Sequence, residues 1–207
     1  MNEMEELFEK WEHEIASDHF VKDGIINNKH WEGSSKKILF ILKETNNYKG
    51  NIAKLIEISV GKKTKLWARP TFHNVGRWAY GLLHYDSEKP PYKLAHKNRK
   101  DSLLFCSFIN IKKTSGGRAA THAVEDHADK YAHFLRKQIS ILNPNIIVFG
   151  GTYAIVKKHV IPELNHVSER VHLYNDIICI NANHPACTKK RTIMYDQVIR
   201  SYDRYLK

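Results

Sequence analysis

The sequence predicts an α/β protein of three layers: a short, mostly parallel central sheet flanked by helices. Three observations predict it. Apolar runs such as 38–42 (Ile-Leu-Phe-Ile-Leu) and 146–149 (Ile-Ile-Val-Phe) lack polar alternation, as strands buried on both faces do. Segments between them repeat apolar residues at helical spacing. Strand-like and helix-like segments then alternate along the chain, the pattern of βαβ units. At 207 residues the chain is expected to form one domain, 1–207, without linkers or internal repeats.

The elements follow in order. Leu7, Trp11, Ile15 and Phe20 lie near helical spacing and predict an N-terminal helix over 2–21. Asp23-Gly24 ends it, and Gly33-Ser34-Ser35 leads into a first strand over 37–42. A short helix is expected over 51–60, stopped by Gly61, followed by a basic loop over 62–70. Val75, Trp78, Ala79 and Leu82 predict a helix over 73–84 with Trp78 on its core face. Pro90, Pro91 and the basic run 96–100 read as a loop over 85–101. The second strand is 103–110, followed by a flexible basic turn over 112–118. Tyr131, Phe134, Leu135, Ile139 and Leu142 predict one long helix over 122–142, closed by Pro144. A third strand at 146–149, a helix over 152–160, strands near 170–174 and 177–181, and a helix over 191–206 complete the reading.

Composition narrows the partners. Lys and Arg total 33 against 22 Asp and Glu, a net charge of +11, which points to an anionic partner such as nucleic acid. The alternative is a merely solvated basic surface. Cys106, Cys179 and Cys187 are odd in number and lie in or beside apolar runs, which fits a reducing compartment and no disulfide framework. The first six residues are acidic where a secretory leader is basic, and no run reaches the ~18 apolar residues of a membrane span. The expected location is the cytoplasm, with no membrane association. His122, His127 and His133 share a helix at spacings of five and six, which does not align metal ligands on one face. No metal is expected.

The chemistry-bearing residues sit at strand ends, where open α/β sheets bind ligands. Glu44 and Asn46 follow the first strand; a turn or helix N-cap is the plainer role for them. Asn110 ends the second strand, and its amide offers two donors and an acceptor, suited to the Watson–Crick edge of a flipped base. His184-Pro185 follows the last strand. An imidazole there can donate to a developing anion. Lys189, Lys190 and Arg191 come next, as a phosphate-contacting loop or an ordinary solvated turn. Gly150-Gly151-Thr152 is neither a GxGxxG nor a P-loop and reads as close packing. Phe72, placed in the loop after Pro70, is the candidate for stacking on a base.

In this order the pieces resemble the uracil-DNA glycosylase superfamily, over roughly residues 37–206. Its first motif, often written GEAPG, corresponds to Lys43-Glu44-Thr45-Asn46-Asn47. A base-reading Asn, followed in some branches by Lys, corresponds to Asn110 with Lys112 and Lys113. The PxxIVxxG segment corresponds to 144–150, and the HPS or HPA motif to His184-Pro185-Ala186. The Gly and Pro of the first motif are replaced here by Lys43 and Asn46, which bears on uracil as the substrate more than on base excision. The resemblance implies a uracil-DNA glycosylase-like fold and a monofunctional DNA glycosylase needing no cofactor. It would act on single- or double-stranded DNA containing uracil or a modified base, in repair or in antiviral defence. Glu44, Asn46 and His184 would be catalytic, Asn110 and Phe72 base-binding, and Lys112, Lys113, Lys189, Lys190 and Arg191 DNA-binding. Lys43 also allows Schiff-base lyase chemistry. The alternatives are a non-catalytic nucleic-acid-binding module on the same scaffold and a nucleoside or nucleotide hydrolase. No obligate protein partner is implied.

Overall fold

The computed structural model describes residues 2–17, 19–45, 48–115 and 121–207, Thr121 through its backbone alone. In chain order the elements are α1 (Glu3–Ile15), β1 (Val21–Lys22), β2 (Gly24–Ile25), α2 (Asn28–Glu32), β3 (Ile38–Leu42), β4 (Gly50–Asn51), α3 (Ile52–Ser59), α4 (Pro70–Leu83), α5 (Tyr92–Asn98), β5 (Cys106–Asn110), α6 (Thr121–Lys130), α7 (Ala132–Leu142), β6 (Ile146–Gly150), α8 (Tyr153–Ile155), β7 (Asn165–Ser168), β8 (Val171–Tyr174), β9 (Ile177–Ala182) and α9 (Arg191–Leu206).

Seven strands form one sheet in the order β2-β5-β3-β6-β9-β8-β7, while β1 and β4 pair separately. The four strands β5, β3, β6 and β9 are mutually parallel. The three outer pairings are antiparallel. The sheet is therefore mixed, and the expectation of a mostly parallel sheet does not hold for it as a whole. The reason is local: β8 and β9 are joined by Asn175-Asp176 alone, with Asn175 at φ 51. So short a connection makes a hairpin, whereas parallel neighbours need a crossover.

The central strands bury both faces, which explains their unbroken apolar sequences. Ile38, Phe40, Leu42, Phe108, Val148 and Ile180 pack with α3, α4 and α9 on one side. Leu39, Ile41, Ile109, Ile147, Phe149 and Cys179 pack with α1, α6 and α7 on the other. Successive residues thus serve opposite cores, as the two-residue period of a strand requires.

Several predicted bounds change, each for an identifiable reason. The N-terminal helix stops at Ile15, where Ala16 turns left-handed at φ 51, so Phe20 reaches the core from the connection instead. Pro70 does not sit in a loop: it opens α4 at a first-turn position, where its missing N–H would be unpaired anyway. Within the expected loop 85–101 lies α5, a seven-residue helix with only Ala95 buried, too short and polar to show an apolar period. The expected helix 122–142 divides at Tyr131 (φ −112, ψ 24) into α6 and α7. Residues 101–105 coil into a 3-10 turn, so the second strand begins at Cys106. Among the described residues, no helix is long and apolar enough to cross a membrane.

Candidate active site at the carboxyl edge of the parallel strands

The four parallel strands all run toward one edge, and their last residues bring the predicted side chains together. Backbone pairing continues past the ends of β3 and β5, with Ile111 N donating to Leu42 O and Lys112 N to Lys43 O, both at 3.0 Å. That places Lys112 alongside Glu44, and its Nζ donates to Glu44 Oε2 at 2.8 Å. The two side chains are 10% and 12% exposed, respectively. Lys112 spends its other donors on the carbonyls of Thr114 and Ser115. Glu44 Oε1 has no hydrogen bond among the described residues, so half of the carboxylate is left for a ligand.

Asn110 pairs with Leu42 in the sheet and lies on the α3 and α4 side, two residues beyond Phe108. Its backbone N–H donates to Asp23 Oδ2 at 2.7 Å. Its side-chain amide, on a residue 3% exposed, forms no hydrogen bond among the described residues. A buried amide without protein partners leaves full donor and acceptor capacity, a combination found at ligand sites more than in finished cores.

His184 leaves β9 in a tight turn, closed by Cys187 N donating to His184 O at 2.9 Å. Ala186 N donates to His184 Nδ1 at 3.2 Å. Because Nδ1 accepts, the neutral ring carries its proton on Nε2, which is left as a donor. Burial, with a smaller effect from the Lys43 ammonium, holds the imidazole below its ordinary pKa and so favours that neutral form. The turn is also clamped from outside. Asn74 of α4 donates from Nδ2 to Pro185 O at 2.6 Å. Trp78, on the core face of α4 as expected, donates to Met194 O at 3.0 Å.

Gly150 and Gly151 explain how the His184 turn can lie so close to the sheet. A Cβ on Gly150 would meet Leu42 Cδ2 and Pro185 Cδ, and one on Gly151 would stand 2.9 Å from His184 Cβ. Gly151 also has φ +75, a region that favours glycine. The glycines therefore serve close packing, but against the His184 turn rather than against a following helix. Two interstrand spacings separate β3 from β9, roughly 10 Å. Glu44 and His184 thus stand on either side of the β6 end.

Three site expectations need correction. Phe72 is not an exposed loop residue: it lies in the first turn of α4, is 7% exposed, and packs on Phe108 with ring centroids 6.1 Å apart. Lys113 does not face DNA. It is fully buried, and its ammonium donates to Asp23 Oδ1 and Oδ2 at 2.7 and 2.6 Å and to Gln138 Oε1 at 2.9 Å. Lys112 is the counter-ion of Glu44 rather than a phosphate contact. Asn46 lies outside the described residues. Lys189, Lys190 and Arg191 are exposed at the start of α9, as a backbone-contacting loop would require.

Sequence reasoning passed over Asn74, and it took up Lys43 only for lyase chemistry and His127 only as a metal ligand. Asn74 falls inside a helix with no pattern to mark it. Lys43 had a weak signal, its place beside Glu44. His127 feels the charge of Lys112, and burial together with that charge lowers its pKa; its five- and six-residue spacing from other histidines argued only against a metal. No protein-family model matches the chain, and no curated protein sequence matches it.

Proposed function

We propose that this chain is a DNA glycosylase of uracil-DNA glycosylase-like fold, which flips a uracil or modified pyrimidine out of DNA and hydrolyses its N-glycosidic bond. The observation that carries the reading is the convergence, on one sheet edge, of three groups with unused capacity. These are the Glu44 carboxylate, the Asn110 amide and the Nε2–H of a neutral His184. They match the needs of the reaction in turn. Asn110 pairs with the edge of the flipped base. The His184 Nε2–H donates to the base carbonyl as negative charge develops on it, a preorganised contact worth roughly 3 kcal/mol in the transition state. Glu44 stabilises the sugar cation and orients the water that adds to C1′; the departing base takes up the proton. Lys112 holds the carboxylate in place through its 2.8 Å hydrogen bond to Oε2. Phe72, packed on Phe108 on the same face as Asn110, supports the base-binding side from within the core. Lys189, Lys190 and Arg191 hold the flanking phosphates.

The test is base release read by mass spectrometry. Wild type and Glu44→Gln are incubated with uracil-containing DNA and with phage DNA bearing natural base modifications. Release of a free base by wild type, reduced at least ~100-fold in Glu44→Gln, is the expected result. Tight DNA binding by both proteins with release by neither would replace this reading with a non-catalytic binding module.

A further inference from the structure

A second group of polar side chains lies on the far side of the His184 turn, and the reaction proposed above does not use it. Arg77 of α4 is 2% exposed yet forms no ion pair with any described carboxylate. Its guanidinium donates to Asn74 Oδ1 at 2.7 Å and to His96 Nδ1 at 2.9 and 3.3 Å, and lies over the Tyr92 ring at 5.6 Å. Arg99 is brought beside it by the backbone: α4 has glycine at position 76, where a Cβ would overlap the Arg99 carbonyl. Arg99 donates from Nε to His73 Nδ1 at 2.8 Å. Lys100 sits over Trp67 at 4.7 Å.

Three cations, Arg77, Arg99 and Lys100, therefore lie together with two imidazoles, and none of them is paired with a described carboxylate. The hydrogen-bond inventory is equally one-sided. Arginine only donates, so His96 Nδ1 must accept and its proton sits on the exposed Nε2. Arg77 has two N–H groups to spare, and Arg99, which also donates to the His96 carbonyl, has three, counted from five on each. A donor-rich, cation-rich cluster whose described acceptors are already engaged, with one arginine already desolvated, is complementary to a tetrahedral oxyanion.

We propose that Arg77, His96 and Arg99 form a phosphate-binding site that grips a phosphodiester beside the flipped nucleotide. The site rests on the DNA-glycosylase reading for its source of phosphate, though not for its chemistry. Asn74 links it to the active site, because the amide that Arg77 orients is the one that holds Pro185 O. Phosphate captured there would steady the turn that carries His184.

The experiment uses the full chain and the variants Arg99→Gln and Arg77→Gln, with Arg99→Lys to separate charge from fold. Arg136→Gln, on α7 of the opposite layer, is the control. Affinity for a labelled oligonucleotide is measured from 50 to 200 mM salt, binding of inorganic phosphate by calorimetry, and base release in the same preparations. Each Gln variant is expected to lower the slope of log affinity against log salt by about 0.7–0.9, one phosphate contact, with Arg99→Lys and Arg136→Gln near wild type. An unchanged slope with phosphate binding lost in Arg99→Gln would support the same site with free phosphate as its ligand. Unchanged slope and unchanged phosphate binding in both Gln variants would overturn the site, even if wild type releases base normally. Lowered slopes in the Gln variants, together with a wild type that releases no base, would instead remove the glycosylase reading and leave the site standing.

Discussion

Lys112 and Lys113 are neighbours in the chain, and each holds a carboxylate, yet they belong to different parts of the molecule. Lys113 is wholly enclosed, its ammonium shared among Asp23 and Gln138. Asp23 in turn accepts from Lys113, from Gln138 Nε2 at 2.7 Å and from Asn110 N at 2.7 Å. That pair is saturated. Lys112 and Glu44 meet through a single hydrogen bond at 2.8 Å, and one carboxylate oxygen is left over. Saturation is what separates a structural ion pair from a chemical one: a group with every acceptor engaged can hold a fold together but has nothing to offer a substrate.

The comparison can be broken most forcefully at Asp23. Asp23→Asn leaves Lys113 as an uncompensated buried charge, and the expected loss is about 3–5 kcal/mol of unfolding free energy by urea denaturation. A loss below about 1 kcal/mol would show that the pair is not structural. The second effect is smaller and sharpens the contrast. Glu44→Gln keeps a side-chain carbonyl for Lys112, so the same denaturation is expected to register a change of about 1 kcal/mol or less, although base release collapses.

The smallest effect is on pH. His73, His96, His127, His172 and His184 are all held below their ordinary pKa, with burial the leading cause for each. Below the ordinary histidine value of about 6.5 the unfolded chain then binds more protons than the folded one, so stability is full above that pH and falls as pH drops through it. Thermal denaturation between pH 5 and 8 checks the sign. Base release should hold level through about pH 6.5 and decline only where Nδ1 of His184 gains a proton and loses the Ala186 N–H.

Much of this was legible in the sequence, and unevenly so. The unbroken apolar runs at 38–42 and 146–149 announced strands buried on both faces, and the strand ends carrying Glu44, Asn110 and His184 did converge. Antiparallel pairing of the outer strands went unread, since β7 is exposed and has no apolar signature. Phe72 was misplaced because a proline before it resembles a loop signal as much as a helix start. The fate of Lys113 could not be read at all: a basic pair in a turn gives no sign that one member is folded inward, which depends on Asp23 and Gln138, 90 and 25 residues away. Asn74 and Arg77 were hidden for the same reason.

Gly150 and Gly151 have a consequence for how the site is kept ready. With no side chains there, the His184 turn rests directly on Leu42 and on the end of β6, and Asn74 fastens it from above. The imidazole accordingly inherits the stiffness of the central sheet. In the proposed glycosylase, little conformational freedom would then be surrendered at that group on DNA binding, so binding energy could go toward unstacking the nucleotide and distorting its sugar rather than toward assembling the catalyst.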